Sequence, residues 1–239
     1  MKKILIMTLV LLLAAGGLQA QKKDPRKRIP SSAVNTKDLN VSDKAASGLD
    51  IRQLPPPAKG MEAPLFAALQ QRRTIRELRE EEIPPEMVSS LLWSAYGFNR
   101  PGEKRRVVPS AVNVQEFDIY LFTHEGVVKY DALTNTLETV LRGDHRGIIS
   151  KQKHFVVAPV AVVIVANSDR MEVFKDTETR DFYAAVDCGY VSQNIYLFCA
   201  SAKLGTVACG AIERDAIHKL LNIKNGRALL AHPVGLPMQ

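Results

Sequence analysis

The sequence holds few of the residues that build metal or disulfide sites. Three cysteines, Cys188, Cys199 and Cys209, occur in 239 residues, and none stands in a C-x-x-C spacing, so the usual zinc and dithiol patterns are excluded. An odd count leaves at least one thiol free. Cys188 and Cys199 fall in what reads as one helix, eleven residues apart, roughly three turns and too far to bridge. Buried small apolar residues are the expectation for both. The five histidines, His124, His145, His154, His218 and His232, are dispersed with no H-E-x-x-H constellation, and no metal site is expected. No internal repeat is evident.

Excess charge is also missing where it would matter. The whole chain is +7, a balance that raises nucleic acid or anionic membranes as partners. By region the excess disappears. Residues 1–20 hold two Lys and no acid, residues 21–60 hold nine Lys or Arg against four Asp, and residues 61–239 hold 21 against 21. The main domain is formally neutral, and no nucleic-acid partner is expected.

The first stretch is of another kind. Met1-Lys2-Lys3 is a basic start, Ile4 to Leu13 is almost unbroken apolar, and Ala14 to Ala20 supplies small residues before a charged Gln21-Lys22-Lys23-Asp24. This is the pattern of a secretory signal peptide, with an apolar run short for a membrane span. Cleavage after Ala20 is expected, with an uncleaved anchor as the alternative. No cysteine follows the run to carry a lipid. The mature protein is expected to be exported, periplasmic or extracellular, with no membrane span after cleavage. Residues 21–60, rich in Lys, Ser, Asp and Pro and ending Leu54-Pro55-Pro56-Pro57-Ala58-Lys59-Gly60, have little apolar surface to bury and read as a linker or arm.

The remainder, 61–239, reads as one mixed α and β domain. Glu62 to Gln71 carries Leu65, Phe66 and Leu69 at helical spacing, leading into Arg72. Pro84 and Pro85 fit the first turn of a second helix, with Met87, Leu91, Leu92 and Ala95 on one face and Gly97 as the stop. Phe117 to Phe122 alternates as a strand, with Gly126 to Asp131 as its hairpin partner. Val156 to Ala166 is apolar on both faces and predicts a central strand, its start limited by Pro159. Arg180 to Leu204 predicts one long helix capped by Gly205, followed by a strand over Thr206 to Ile212, a helix over Asp215 to Leu221 and a last strand near Ala228 to Pro233.

Two segments carry the chemistry. Arg72-Arg73-Thr74-Ile75-Arg76 packs three guanidinium groups and a hydroxyl into five residues. Forked donors of this kind suit a phosphate, and if the helix continued, Arg72 or Arg73 could share an anion with Arg76. The bland alternative is a solvated face, since Glu77, Arg79 and Glu80-Glu81-Glu82 follow. On composition alone that alternative is the stronger. The second segment, Pro109-Ser110-Ala111-Val112-Asn113-Val114-Gln115, precedes a strand, so at least two of Ser110, Asn113 and Gln115 are expected on one side of an extended chain. Their carboxamides both donate and accept, matching the edge of a flat heterocycle such as a flavin. Taken singly, such a loop is ordinary turn chemistry.

In this order the pieces resemble the FMN-dependent nitroreductase family over roughly Ala63 to Pro237. Arg72 to Arg76 is similar to its phosphate-binding R-R-[ST]-x-R motif, Leu91-Leu92-Trp93-Ser94-Ala95-Tyr96-Gly97 to its L-L-x-A-A-x-G helix end, and Pro109 to Gln115 to its P-S-[AS]-x-N-x-Q loop. Asp187-Cys188-Gly189 with Gln193-Asn194 resembles its D-x-G-x-x-x-Q-N stretch. Leu204 to Ala211 and Val234-Gly235-Leu236-Pro237 resemble its L-G-x-x-x-x-G-A and V-G-x-P segments. Gly126 to Leu141 points toward the peptide-heterocycle dehydrogenase branch.

The resemblance implies an α+β nitroreductase-like fold, a central mostly antiparallel sheet flanked by helices, with one long helix at a dimer interface. It implies a homodimer binding FMN between subunits. Arg72, Arg73, Thr74 and Arg76 would hold phosphate and ribityl groups. Pro109, Ser110, Ala111 and Asn113, with Gln115 in the same loop, would meet the flavin of the partner subunit, and Cys209, Gly210 and Ala211 would run beside the ring. The family's reaction is ping-pong, from NAD(P)H through FMN to a nitroaromatic, quinone or related small-molecule acceptor, with no dedicated catalytic side chain. Many members close on the phosphate with a basic pair after the last strand. This sequence reads Met238-Gln239 there, leaving that work to the arginine cluster or another subunit. The expectation is an exported FMN-dependent oxidoreductase. Its alternatives are a flavin-binding but catalytically inert relative and a non-enzymatic envelope module held by its basic arm.

Overall fold

The computed structural model describes Leu54, Pro55 and residues 65–238. The signal sequence, the basic segment other than Leu54 and Pro55, and the expected helix start at Glu62 lie outside the described residues. In chain order the elements are helices α1 (Leu65–Gln71) and α2 (Pro85–Tyr96), strands β1 (Phe98–Arg100), β2 (Arg105–Arg106), β3 (Phe117–Thr123), β4 (Gly126–Asp131) and β5 (Thr136–Arg142), short helices α3 (Arg146–Ile149) and α4 (His154–Val157), β6 (Val160–Asn167), the long α5 (Thr177–Ser201), β7 (Gly205–Thr206), α6 (Arg214–Leu221) and β8 (Gly226–Gly235).

Six strands form one sheet in the order β5-β4-β3-β6-β8-β7, every neighbouring pair antiparallel. Side chains of a strand alternate between faces, and here each face has its own core. Ile119, Leu121, Val162 and Ile164 pack with Leu91 and Leu92 of α2 and with Val191 and Ile195 of α5. Tyr120, Phe122, Ala161, Val163 and Val165 pack on the other side with Phe155, Val207 and Ile217. A strand covered on both faces needs no polar alternation, which is why β6 is apolar and buried from Val160 to Ala166. The architecture is the α+β arrangement expected, an antiparallel sheet flanked by helices.

Several boundaries differ from the sequence expectation, each for a local reason. The central strand begins at Val160, because His154–Val157 forms a helical turn and Pro159 has no N–H for the ladder. The long helix starts three residues earlier than expected, at Thr177, where the Asp176 carboxylate accepts from the Thr179 N–H at 2.7 Å, an N-cap bond. At its other end the left-handed residue is Lys203, φ 57°, and Gly205 is instead in β7. A Cβ at Gly205 would lie 2.5 Å from Leu78 Cδ2 and 2.9 Å from Ile75 Cγ2, so glycine is required there by close packing. The expected strand over Thr206 to Ile212 pairs only through Gly205–Thr206 and a single bridge from Cys209 to Ala231. The hairpin after β4 gains β5, which the sequence reading omitted.

Candidate functional site

Helix α1 stops at Gln71, so the arginine cluster is not helical. Beyond it the chain threads beside the sheet end: the Ile75 N–H donates to Thr206 O at 2.9 Å, and Leu78 bridges Pro237. Sharing of an anion by helical neighbours is therefore replaced by the geometry of an open chain. Arg72 and Thr74, two residues apart, both reach Tyr196 of α5. The Arg72 guanidinium lies 5.2 Å from the ring centroid, a cation–π distance. The Tyr196 hydroxyl accepts from the Ala208 N–H at 2.9 Å, and its proton is then free for Thr74 Oγ1 at 3.0 Å. One phenol thus ties the arginine segment to the backbone that leads into Cys209, Gly210 and Ala211.

Arg76 faces the same segment. His154 Nε2 lies 3.6 Å from Cys209 Sγ, both buried. Burial first and the Arg76 charge second lower the His154 pKa, while burial raises that of Cys209 against the opposing pull of Arg76. The imidazole is neutral and the thiol protonated, which does not suit Cys209 to a nucleophile's role. Gly210 is uncrowded, the nearest atom to a Cβ built there being Leu230 Cδ2 at 3.6 Å. Arg73 is exposed. Among the described residues no ion pair engages Arg72, Arg73 or Arg76. The acids downstream have other partners: Glu81 lies 3.6 Å from Arg79 and Glu82 3.1 Å from His124. Arg79, which the solvated-face alternative includes, thus has an acidic ion-pair partner, while Arg72, Arg73 and Arg76 have none among the described residues.

The polar loop is not extended either. Ala111–Asn113 is a 3-10 turn, and Val112, Asn113 and Gln115 have φ of 44°, 59° and 53°. Left-handed backbone at a β-branched valine is strained, at about 1–3 kcal/mol, and Val112 is exposed at the tip. Several bonds hold the loop against that strain. The Ala111 N–H donates to Asp187 Oδ2 at 2.8 Å, and the Gln115 N–H to Ser110 Oγ at 3.1 Å. Gln115 uses its whole carboxamide internally, accepting from Arg106 Nε at 2.9 Å and donating to Lys104 O at 2.7 Å and Asn113 Oδ1 at 3.1 Å. Its role is therefore to shape the loop, while Pro109 and Asn113 remain exposed and Ser110 and Ala111 half-buried.

Beneath the loop sits Glu116, fully buried, with neither carboxyl oxygen hydrogen-bonded. Burial first and the neighbouring Asp187 carboxyl second push its pKa up to about 7. Asp187, Glu116 and Tyr196 were not singled out as individual site residues in the sequence. Asp187 stands in a motif, but nothing local marks Tyr196 or Glu116.

The two segments are brought to one helix and not to each other. Asp187 and Tyr196 are nine residues apart on α5, about 13–14 Å along the axis and half a turn around it at 1.5 Å and 100° per residue. The arginine segment and the polar loop therefore flank α5 on opposite sides. Between those flanks the helix exposes Phe182, Val186 and Tyr190 at 61%, 39% and 45%, with exposed Gly189 and Gln193 in the same stripe. Helix α1 adds exposed Leu65, Phe66 and Leu69.

Comparison with known proteins bears on the family and the fold. A protein of Methanocaldococcus jannaschii named as a nitroreductase is 32% identical over 187 residues, covering 73% of this chain and 91% of the relative. A crystal structure from Ralstonia eutropha, also named as a nitroreductase, superposes with a TM-score of 0.74 at 30% identity, over 81% of this chain and 93% of that one. The NADPH:FMN oxidoreductase of Vibrio harveyi, solved with NAD+, shares the fold at a TM-score of 0.56 and 18% identity, over 74% and 70% of the two chains. None of these names carries the peptide-heterocycle branch. The sequence model of the Nitroreductase family matches residues 69–236, a span that takes in α2, the six-stranded sheet, α5 and both chemical segments, and the chain belongs to that family.

Proposed function

We propose that this protein is an exported, homodimeric FMN-dependent oxidoreductase that passes reducing equivalents from a reduced donor, NAD(P)H-like in chemistry, to a nitroaromatic, quinone or related small acceptor. The observation that carries the reading is the set of guanidinium groups at Arg72, Arg73 and Arg76, without an ion-pair partner among the described residues, with Thr74 tied through Tyr196 to the backbone entering Cys209-Gly210-Ala211. A phosphate dianion next to such forks is held by charge-assisted bonds, and an open backbone at Gly210 leaves room for a flat ring. The donor set fits FMN. When bound, FMN would supply the hydride chemistry of both half-reactions. The chain's own residues bind and orient: Arg72, Arg73, Thr74 and Arg76 hold the phosphate and ribityl end, the Cys209–Ala211 segment lies along the ring, and Pro109, Ser110, Ala111 and Asn113 close it from the partner subunit. No side chain is assigned as acid, base or nucleophile.

What supports a two-chain site is the placement of its halves on opposite flanks of α5 with an apolar stripe between them. A stripe of Phe182, Val186 and Tyr190 left in water is unfavourable by about 25 cal/mol per Å2, and a second copy of α5 would cover it. Export rests on the sequence before residue 21. A protein outside the cytoplasm is separated from the nicotinamide pool, so the donor is defined here by its chemistry.

Purified protein is expected to be yellow, to release FMN on denaturation, and to bleach with dithionite and with a hydride donor. Each charge-assisted bond contributes about 1.5–3 kcal/mol, so Arg72→Ala with Arg76→Ala should weaken FMN binding by two orders of magnitude or more, read from the fluorescence of released flavin. Colourless protein that takes up no FMN would sink the proposal. Yellow protein that dithionite reduces but no hydride donor does would favour the inert flavin-binding relative.

A further inference from the structure

Between the β1–β2 hairpin and the Pro109–Asn113 turn lies a cavity of about 500 Å3, lined by Arg100, Arg105 and Arg106 together with Asn99, Ser110 and Asn113. Its volume is in the range of small-molecule sites. Its charge is one-sided. Glu103 is the lone acid on its wall, and it lies 3.9 Å from Arg100 at the exposed rim.

Arg106 is the unusual member. Its guanidinium is stacked 3.9 Å from the Tyr96 centroid and 4.2 Å from that of Phe98. Its Nε donates to Gln115 and its Nη1 to Tyr96 O at 2.7 Å. These bonds fix it in place without neutralising it. Among the described residues no carboxylate lies within ion-pair distance of Arg106 or Arg105. Desolvation, the largest effect, lowers the Arg106 pKa; Tyr96, Tyr130 and Asp131 oppose it and the nearby Arg170 charge adds to it. With Asp131 acting on it only from beyond ion-pair distance, this partly desolvated cation is incompletely compensated, and an anion entering the cavity would relieve that cost. Through Gln115 the same arginine is joined to the turn that carries Ser110 and Asn113, so an anion held there lies next to the loop assigned to the partner's flavin.

We infer that this cavity binds the anionic group, carboxylate or phosphate, of a substrate that reacts at the flavin. Arg105 and Arg106 supply the charge, Arg100 the rim, and Asn99, Ser110 and Asn113 polar contacts. The place in the reaction rests on the proposed FMN function, but the binding step does not. Two sources share the chemistry, a carboxylated acceptor and the phosphates of a nicotinamide donor.

Calorimetric titration of the full protein separates these points. The probes are 4-nitrobenzoate, inorganic pyrophosphate and uncharged 4-nitrobenzyl alcohol, each at low and high salt. Both anions are expected to bind more tightly than the alcohol and to weaken with salt. Arg105→Gln should weaken anion binding about tenfold, the scale of one charge-assisted bond, and leave the alcohol unchanged. Glu103→Gln should tighten it severalfold, an outcome that damage to the fold would not produce. In turnover, a KM effect of Arg105→Gln confined to carboxylated acceptors assigns the site to the acceptor, and one confined to NADPH over an uncharged dihydronicotinamide assigns it to the donor. Equal affinity for charged and uncharged probes overturns the inference. So does loss of FMN from Arg105→Gln, because the anion bound would then be the cofactor's own phosphate. Anion binding by protein that takes up no FMN would preserve this site and refute the flavin function.

Discussion

Replacing Glu116 with glutamine is expected to stabilise the protein at neutral pH and to do so progressively less as pH falls. Glu116 is fully buried, and neither of its oxygens has a hydrogen-bond partner. Its pKa rises from an ordinary 4.5 to about 7, by burial first and the facing Asp187 carboxyl next, with Arg170 opposing. The Glu116–Asp187 carboxyl pair of the folded protein, both members raised, therefore holds a proton that the unfolded chain has released. Stability from this group is fully present below pH 4.5 and is lost as pH rises through about 7. At about 1.4 kcal/mol per pH unit, the loss is on the order of 3 kcal/mol. Glutamine keeps the shape and cannot ionise. The total pH profile hides this, because His232 acts in the opposite sense. Burial lowers His232 from 6.5 to about 3, so its contribution is present above 6.5 and lost as pH falls. His154, lowered by burial and by Arg76, adds to that trend. The difference between variant and parent cancels both histidines. Urea unfolding followed by fluorescence of the single tryptophan, Trp93, at one protein concentration would measure it. The variant's advantage should grow at up to about 1.4 kcal/mol per unit between pH 4.5 and about 7, the two titration limits of Glu116, then level off. A difference that stays constant across that window would refute the reasoning.

Three further outcomes test the frame around the site. Gly205→Ala places a methyl 2.5 Å from Leu78 and 2.9 Å from Ile75; overpacking should cost about 1–3 kcal/mol and, by moving Ile75, loosen flavin retention as well, read by thermal unfolding and flavin release. Tyr196→Phe removes the hydroxyl shared by Ala208 N and Thr74, with an expected loss of about 1–3 kcal/mol for the unpaired amide and a measurable rise in the FMN dissociation constant. Val186→Glu sets a charge in the exposed apolar stripe of α5, and sedimentation should show monomers; a dimer that persists would move the interface elsewhere.

The fold was legible where a pattern is long and its cause is local. Helix α5 and strand β6 announce themselves by length and by continuous apolar character, and both lie within a few residues of their expected ends. What failed were the short stretches decided by distant partners. Whether Val156 and Val157 extend a strand or turn in a helix depends on Pro159 and on packing beneath β6. Whether Thr206 to Ile212 forms a strand depends on how much of it β8 can reach, and beyond Thr206 only Cys209 bridges Ala231. Gly205 reads as a helix cap by sequence because glycine tolerates left-handed backbone. Its actual reason, the approach of Ile75 and Leu78, is a contact between segments far apart in the chain.

The sequence offered the candidate site as residue types in order, and the backbone geometry of both segments differs from what those types suggested. The arginine cluster was expected on a helix, yet Ile75 pairs with Thr206 and opens the chain, so Arg72 and Thr74 share Tyr196, which no motif marks. The polar loop was expected to be extended, yet three residues take left-handed conformations that Asp187 and Arg106 hold in place. Helix α5 explains both departures, since it fixes the first segment through Tyr196 and the second through Asp187. Those two residues are half a turn and about 13–14 Å apart. One copy of the chain therefore cannot bring its own two segments face to face across the helix that separates them. On the proposed reading, a ligand that uses both takes the arginines from one α5 flank and the loop from the opposite flank of another copy. The apolar stripe exposed between the flanks is the surface on which that second copy would rest.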